Sequence, residues 1–312
     1  MNLSMKRNSI AVVGVGNWGS KKVEEYMNLG LEPFICDIDP QRLSFIKKKF
    51  GIENVTTDYK NFLSDSEIVA IDICTPNETH YEICKDALKS GKHVFLEKPM
   101  TLNSRNAEEL VKIAEKNDLV LIIGHIYRYN KAMIEVQRMI REGFFGKIVY
   151  INYTWSDLIE PKTNDIVFDL GSHTIDILHF LLDRYPEEVT CVSNSKNLDW
   201  AFMTLQFDDI VCNVELSWVS PIKKREIFLI GKNKSVKVEC ANQRIFVYDK
   251  KNMRELKIER NNTIRDELTH FLDCIYNNKK PRTDGEMGFK IIKVLEFIKK
   301  SLKEKRTLEV NL

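Results

Sequence analysis

The sequence has no surplus of either charge, with 47 Lys plus Arg against 45 Asp plus Glu. Without a basic excess, neither a nucleic-acid footprint nor a polybasic membrane surface is expected. Two short basic runs, Lys47-Lys48-Lys49 and Lys299-Lys300, read as solvated helix faces. No stretch of about 18 apolar residues occurs, so no membrane-spanning helix is expected. The opening "MNLSMKRNSIAVVG" has no apolar segment ahead of its first strand, so no secretory leader is expected. None of the seven cysteines, at 36, 74, 84, 191, 212, 240 and 274, forms a C-x-x-C pair. Most lie in apolar runs such as "FICDID" and read as buried reduced thiols of a cytoplasmic protein. Repeats and low-complexity linkers are also missing.

What is present is an ordinary globular composition, 43% hydrophobic and 29% charged. At 312 residues the chain is long enough for two cores. Up to about residue 125, strands and helices alternate. "SIAVVG", "EPFICD", "EIVAIDICTP", "HVFLEKP" and "LVLIIGH" read as strands, with helical spacing between them. Such alternation predicts a parallel sheet with helices on both faces. "PQRLSFIKKKFG" carries a proline start and a glycine stop for one of those helices. Past residue 145 the rhythm changes. "KIVYINYTW" reads as a strand and residues 169 to 182 as a helix. Then come "EEVTCVSN", "WAFMTLQF", "VCNVELSW", "EIFLIG", "SVKVEC" and "RIFVYD", several joined by hairpin-length loops. Two helices, near 264 to 277 and 285 to 303, precede a last short strand. The expected fold is α/β: a doubly wound parallel sheet over 1–125, then an α+β domain over 126–312 on an open, mostly antiparallel sheet.

The first strand ends in Gly14-x-Gly16-x-x-Gly19, which opens a helix and a βαβ unit. The next strand ends in Asp37, eighteen residues past Gly19. This is the context of a dinucleotide fingerprint. Gly14 permits the turn, Gly16 lets backbone approach a pyrophosphate, and Gly19 lets helix and strand pack closely. Unpaired N–H groups at the helix N-terminus favour the phosphates. Asp37 would accept from ribose hydroxyls and repel a 2′-phosphate, so NAD is expected rather than NADP. Asn17 and Trp18, inside the motif, join the nucleotide candidates.

Two further stretches follow central strands, "TPNETH" (Thr75 to His80) and "EKPM" (Glu97 to Met100). Open α/β sheets bind ligands at these carboxyl ends. In the second half, "DLGSHTIDILHFLL" spaces Asp169, His173 and Asp176 along one helix face. His179 lies off that face, and no metal site is expected.

Taken in this order, these motifs resemble the glucose–fructose oxidoreductase and inositol dehydrogenase (Gfo/Idh/MocA) family over essentially the whole chain. The resemblance implies pyridine-nucleotide redox chemistry on sugars, cyclitols and related compounds. It implies Lys98 and His173 as the catalytic pair, Asp169 as a supporting carboxylate, and a cis Lys98-Pro99 peptide. Thr75, Pro76, Asn77, His80, Glu97 and Lys98 itself would line the cofactor. His125, Arg128 and Asn130 match a segment that lines the substrate pocket, with a structural role at the domain junction equally open for each, and Asp176 is a candidate either for substrate contact or for supporting the residues that make it. A homo-oligomer, dimer or tetramer, follows by the same analogy.

The residue types suit the task. Oxidising a secondary alcohol needs a base for the O–H proton and a hydride acceptor facing the C–H. Histidine can serve as acid or base, and a lysine ammonium steadies a developing alkoxide. Which of Lys98 and His173 removes the proton stays open, as does whether Asp169 only caps its helix. The chain departs from many family members at "KTNDIVFDLGSH", where a glycine run is common; Ile166 and Val167 are expected to reshape the substrate mouth. With "SWVSPIKKRE", this variant is similar to members acting on nucleotide-linked amino sugars, and Lys223, Lys224 and Arg225 read either as candidates for an acidic sugar or diphosphate or as a solvated edge strand. The expected function is an NAD-dependent dehydrogenase for a sugar or sugar nucleotide, such as a UDP-N-acetylhexosamine at C3. The alternatives are an inositol or free-sugar dehydrogenase or keto-sugar reductase, and a non-enzymatic NAD sensor or scaffold.

Overall fold

The computed structural model describes residues 9–160, 165–194 and 197–312. The chain forms two compact units. One combines the residues up to Gly124 with Ile264–Phe289, and the other combines His125–Thr263 with Lys290–Leu312.

The first unit is a six-stranded sheet in the order β3-β2-β1-β4-β5-β6. Its strands are β1 (Ser9–Val13), β2 (Phe34–Cys36), β3 (Val55–Thr56), β4 (Ile68–Ile73), β5 (His93–Leu96) and β6 (Leu121–Ile123). Every pairing is parallel. The strands read as nearly unbroken apolar runs because helices cover both faces of the sheet. Those helices are α1 (Asn17–Asn28), α2 (Pro40–Phe50), α3 (Lys60–Leu63), α4 (His80–Lys89) and α5 (Ser104–Lys116). Asp39 caps α2 by accepting from the Gln41 N–H at 2.9 Å, and Gly51 ends it in the left-handed region at φ 73°. The core gathers Val12, Ile35, Ala70, Phe95 and Ile122 from the sheet with Val23, Tyr26 and Ile46 from the helices. It also takes Leu268, Phe271 and Cys274 from α8 (Thr263–Asn277), with Phe271 edge-on to Phe95 at 5.5 Å.

The second unit is built on a nine-stranded sheet. Its strands are β7 (Ile148–Leu158), β8 (Glu188–Val192), β9 (Trp200–Phe207), β10 (Ile210–Ser217), β11 (Val219–Gly231), β12 (Ser235–Glu239), β13 (Arg244–Tyr248), β14 (Met253–Leu256) and β15 (Leu308–Glu309). The order is β14-β13-β12-β11-β7-β10-β9-β8-β15, antiparallel except for β7 beside β10. Strand alternation sorts the faces: Ala201, Met203, Leu205 and Phe207 of β9 point into the core, while Phe202 is exposed. Helix α6 (Lys131–Arg141), helix α7 (Ile166–Leu182) and most of α9 (Gly285–Glu304) complete the unit. Because α7 packs on β9 and β10 and under α9, it is buried nearly all round, unlike a surface helix.

Helix α7 starts at Ile166, earlier than residue 169. Its cap is Asp165, whose carboxylate accepts from the N–H groups of Val167 and Phe168 at 3.1 and 3.3 Å. Asp169 therefore sits inside the first turn and is not the cap. Ile166 and Val167 are fully buried, so neither edges an opening; residues 161–164 of the same stretch lie outside the described residues. Strand β11 also begins earlier than "EIFLIG". It runs through Pro221, with a register break between Val219 and Lys224, because proline donates no ladder hydrogen bond.

Candidate active site

The glycine turn joins β1 to α1. Gly14 has φ 89°, and a Cβ there would lie 2.9 Å from the Cys74 carbonyl carbon. A Cβ on Gly19 would fall 1.9 Å from the Gly14 oxygen, so helix and turn approach as only glycine allows. Around Gly16 a Cβ would meet nothing within 4 Å. Gly16 is also the N-cap of α1, and no side chain bonds to the free N–H groups there. No acidic residue stands in that first turn. Open space, unclaimed donors and the positive helix end fit a pyrophosphate.

Asp37 lies just past β2 and is 4% exposed. Its carboxylate accepts from the Val15 N–H at 2.8 Å and the Asp39 N–H at 2.9 Å. It thus anchors the glycine turn while its remaining lone pairs stay available to a ribose. The Arg42 guanidinium lies 3.6 Å away on α2, a neighbour that sequence distance conceals.

The strand order places three turns side by side, because β1, β4 and β5 are neighbours. The glycine turn follows β1, "TPNETH" follows β4 and "EKPM" follows β5. Residues Asn77–Thr79 form a short 3-10 turn, braced by the Thr79 hydroxyl against Thr75 Oγ1 and the Pro76 carbonyl, both at 2.7 Å. His80 is fully buried, with Nδ1 2.9 Å from the Pro99 carbonyl and Nε2 3.0 Å from the Thr75 carbonyl. It ties the two turns together. Burial pushes its pKa down, against the pull of the two carbonyls. The Lys98-Pro99 peptide is cis, as the resemblance implied. Lys98 is half-buried and Asn17 is exposed.

Beneath these turns lies a buried polar cluster. The Lys22 ammonium is 2.8 Å from Asp72 and 2.7 Å from Glu97, and it sits 3.3 Å over the Phe95 ring. Trp18 Nε1 donates to Glu97 at 2.6 Å, and the Tyr26 hydroxyl donates to Asp72 at 3.0 Å. Burial alone would lower the Lys22 pKa, but Asp72, Cys74, Glu97 and Glu267 outweigh it and hold the amine protonated. Burial raises the Asp72 pKa against the pull of Lys22.

In the second unit, His173 of α7 is 9% exposed. Its ring stacks on Trp155 at 5.0 Å and 15°, with Tyr127 edge-on at 5.5 Å. The Arg225 guanidinium lies 4.7 Å from the Trp155 ring centre. Burial pushes the Tyr127 phenol up to about 12, with Arg225 pulling the other way. Asp169 is one turn earlier on α7 and half-buried. Asp176 is fully buried and accepts from Arg128 Nε at 2.5 Å. Nη2 of Arg128 meets His179 Nδ1 at 2.7 Å, so that nitrogen is the acceptor. Burial, then the Arg128 charge, lowers the His179 pKa to about 4. Asn130 caps α6 by accepting from Ala132 and Met133 N–H groups, and it donates to the Cys240 carbonyl at 3.0 Å. His125 Nδ1 lies 3.8 Å from Asp176.

Sequence reasoning passed over Lys22, Asp72, Trp155 and Tyr127. The inward alternation of Ile151, Tyr153 and Trp155 on β7 was the available signal for Trp155. Arg225 lies over Trp155, and Lys223 pairs with Asp157 at 2.6 Å. Among the described residues no cluster of three or more His, Cys, Asp and Glu side chains is arranged to hold a metal ion. No described helix is long and apolar enough to cross a membrane. All seven cysteines are unpaired.

Comparison with known proteins finds matches to both halves of the chain. Residues 8–125 match the Gfo/Idh/MocA oxidoreductase family model for the NAD-binding Rossmann fold, and residues 137–312 match that family's C-terminal alpha/beta domain. A myo-inositol 2-dehydrogenase of Thermotoga maritima is 23% identical over 96% of this chain and 98% of its own. A UDP-N-acetylglucosamine 3-dehydrogenase of Acidithiobacillus ferrooxidans is 24% identical over 90% and 93%. A solved oxidoreductase from Agrobacterium radiobacter, in complex with NAD+, L-tartaric acid and magnesium, superimposes with a TM-score of 0.87. It is 19% identical, with 98% of this chain and 99% of that one covered.

Proposed function

The chain belongs to the Gfo/Idh/MocA oxidoreductase family, with an NAD-binding Rossmann domain, and from that premise we propose that it is a sugar dehydrogenase using Lys98 and His173. Its substrate carries a secondary hydroxyl on a sugar or sugar nucleotide, with C3 of a UDP-N-acetylhexosamine as the specific reading. The supporting observation is the juxtaposition of the glycine turn, the Thr75 turn and the Lys98 turn on neighbouring strand ends. That edge of a parallel sheet is where such folds bind and transform ligands.

When bound, NAD would supply the acceptor for the hydride that leaves the carbinol carbon. The free N–H groups at Gly16 would hold its pyrophosphate with Asn17 beside them, Asp37 would border the adenosine ribose, and Trp18, bonded to Glu97 at 2.6 Å, would stand toward the other half. Thr75, Pro76, Asn77 and Glu97 frame the nicotinamide side, with His80 acting through the turns it ties. The Lys98 ammonium steadies the oxygen as its proton leaves, and the His173 imidazole carries that proton. Asp169, one helical turn before His173, orients the ring. Arg128 and Asp176 support the substrate side as an ion pair, and Asn130 places the segment that holds them. Residues 1–125, with α8 completing their core, serve as the nucleotide domain, and the remainder of 126–312 as the substrate and oligomerisation domain. The exposed Tyr150, Val192 and Phe202 of the second sheet support self-association as a dimer or tetramer. The unpaired cysteines support a cytoplasmic setting.

The myo-inositol relative, which spans nearly the whole chain, supports a second reading as a cyclitol dehydrogenase. One assay separates them: NAD is offered with UDP-N-acetylglucosamine, UDP-N-acetylgalactosamine, myo-inositol and free hexoses, and absorbance of the reduced cofactor is followed. Turnover on the nucleotide sugars is expected. Turnover only on the cyclitol selects the second reading, and silence across the panel with tight NAD binding rejects both.

A further inference from the structure

We propose that Lys22 is a positioning residue, one that fixes Glu97 and through it the turn carrying Lys98. This rests on the reading of Lys98 as a catalytic group. Lys22 lies on α1, one turn beyond the phosphate-facing end of that helix. Its ammonium is fully buried and bridges Asp72 on β4 to Glu97 just after β5, at 2.8 and 2.7 Å. Glu97 immediately precedes Lys98 in the chain. The same carboxylate accepts the Trp18 indole N–H at 2.6 Å. It is also wedged against Gly124, where a Cβ would come within 2.8 Å of Oε2. Glu97 is thus fastened to α1 twice and has little room to move.

A buried ammonium is costly unless carboxylates surround it. Here Asp72, Glu97 and Glu267 do so, with Cys74 and the Tyr26 hydroxyl completing the charged and titratable neighbours. An apolar side chain of the same length would fill the space as well. It would leave Glu97 without its cation and the EKPM turn held to α1 by the indole alone. Displacing a reacting group by about 1 Å costs on the order of a hundredfold in rate, so a small loosening registers in turnover.

The test uses Lys22→Met/Asp72→Asn, which removes the ammonium and one of its partner charges together, and Glu97→Gln, which keeps the shape and loses the ion pair. Lys98→Met is the reference. The expected result is a folded double variant with kcat down about ten- to hundredfold and KM for NAD changed less than about threefold. Amide hydrogen exchange in residues 96–101 of the cofactor-free protein should quicken about tenfold or more, while exchange in β1 and β4 stays slow. Wild-type kcat and exchange in the double variant, with Lys98→Met inactive, would overturn the inference. Should the double variant not fold, Glu97→Gln decides the matter by the same two readouts. An active Lys98→Met would sink the catalytic reading instead, and exchange alone would then judge the role of Lys22.

Discussion

His179 illustrates how one side chain sets a pH dependence. Its Nδ1 accepts from Arg128, and protonation would put two cations against each other in a partly buried place. The folded pKa is near 4, below the ordinary 6.5. Between those values an unfolded chain binds a proton that folded His179 refuses. Its contribution to stability is therefore complete above about pH 6.5 and is lost as pH falls toward the folded value. His179→Asn keeps an acceptor for Arg128 and cannot titrate. Thermal melts of the variant should fall less steeply than wild type between neutrality and the folded pKa; identical acid sensitivity would exclude this residue as a source. Sequence spacing set His179 off the face of Asp169 and His173, yet Arg128 reaches both His179 and Asp176. Spacing could not show the contact of Arg128 with His179, because that bond joins residues 51 positions apart.

At the scale of elements, α7 carries the densest chemistry and depends on its cap. Asp165 accepts from two first-turn N–H groups and pairs with Lys299 at 2.7 Å. Asp165→Ala should cost about 1 kcal/mol, read as a lower midpoint in denaturant unfolding. An unchanged midpoint would mean that water replaces the cap without loss. Elements with strong periodicity or punctuation were legible: β1 through its apolar run into glycine, α2 through Pro40 and Gly51, β9 through strict alternation. The start of α7 was not, because Asp165 and Asp169 are both plausible caps and only the backbone distinguishes them. Strand β14 was missed because its four residues, "MREL", are mostly exposed and show no alternation. The short β3 and α3 lack enough residues to establish a period. Helix α6 did carry a readable stripe, Ala132, Met133, Val136 and Met139, that the strand-rich surroundings obscured.

At the scale of the molecule, composition and strand rhythm gave the two architectures, and motif order gave the family. Chain order hid where α8 belongs. It follows the second sheet in sequence, yet Leu268, Phe271 and Cys274 complete the core of the first unit. A helix's apolar stripe records that it is buried and not what buries it. The central claim, that the whole chain acts as a dehydrogenase through Lys98 and His173, is tested most directly by the turnover of Lys98→Met, His173→Asn and their combination on a substrate from the panel. NAD affinity is titrated alongside. Each single variant should lose about a hundred- to ten-thousandfold in kcat and still bind NAD, with the pair no worse than the poorer single because both serve one step. Wild-type turnover in either single variant would contradict the account.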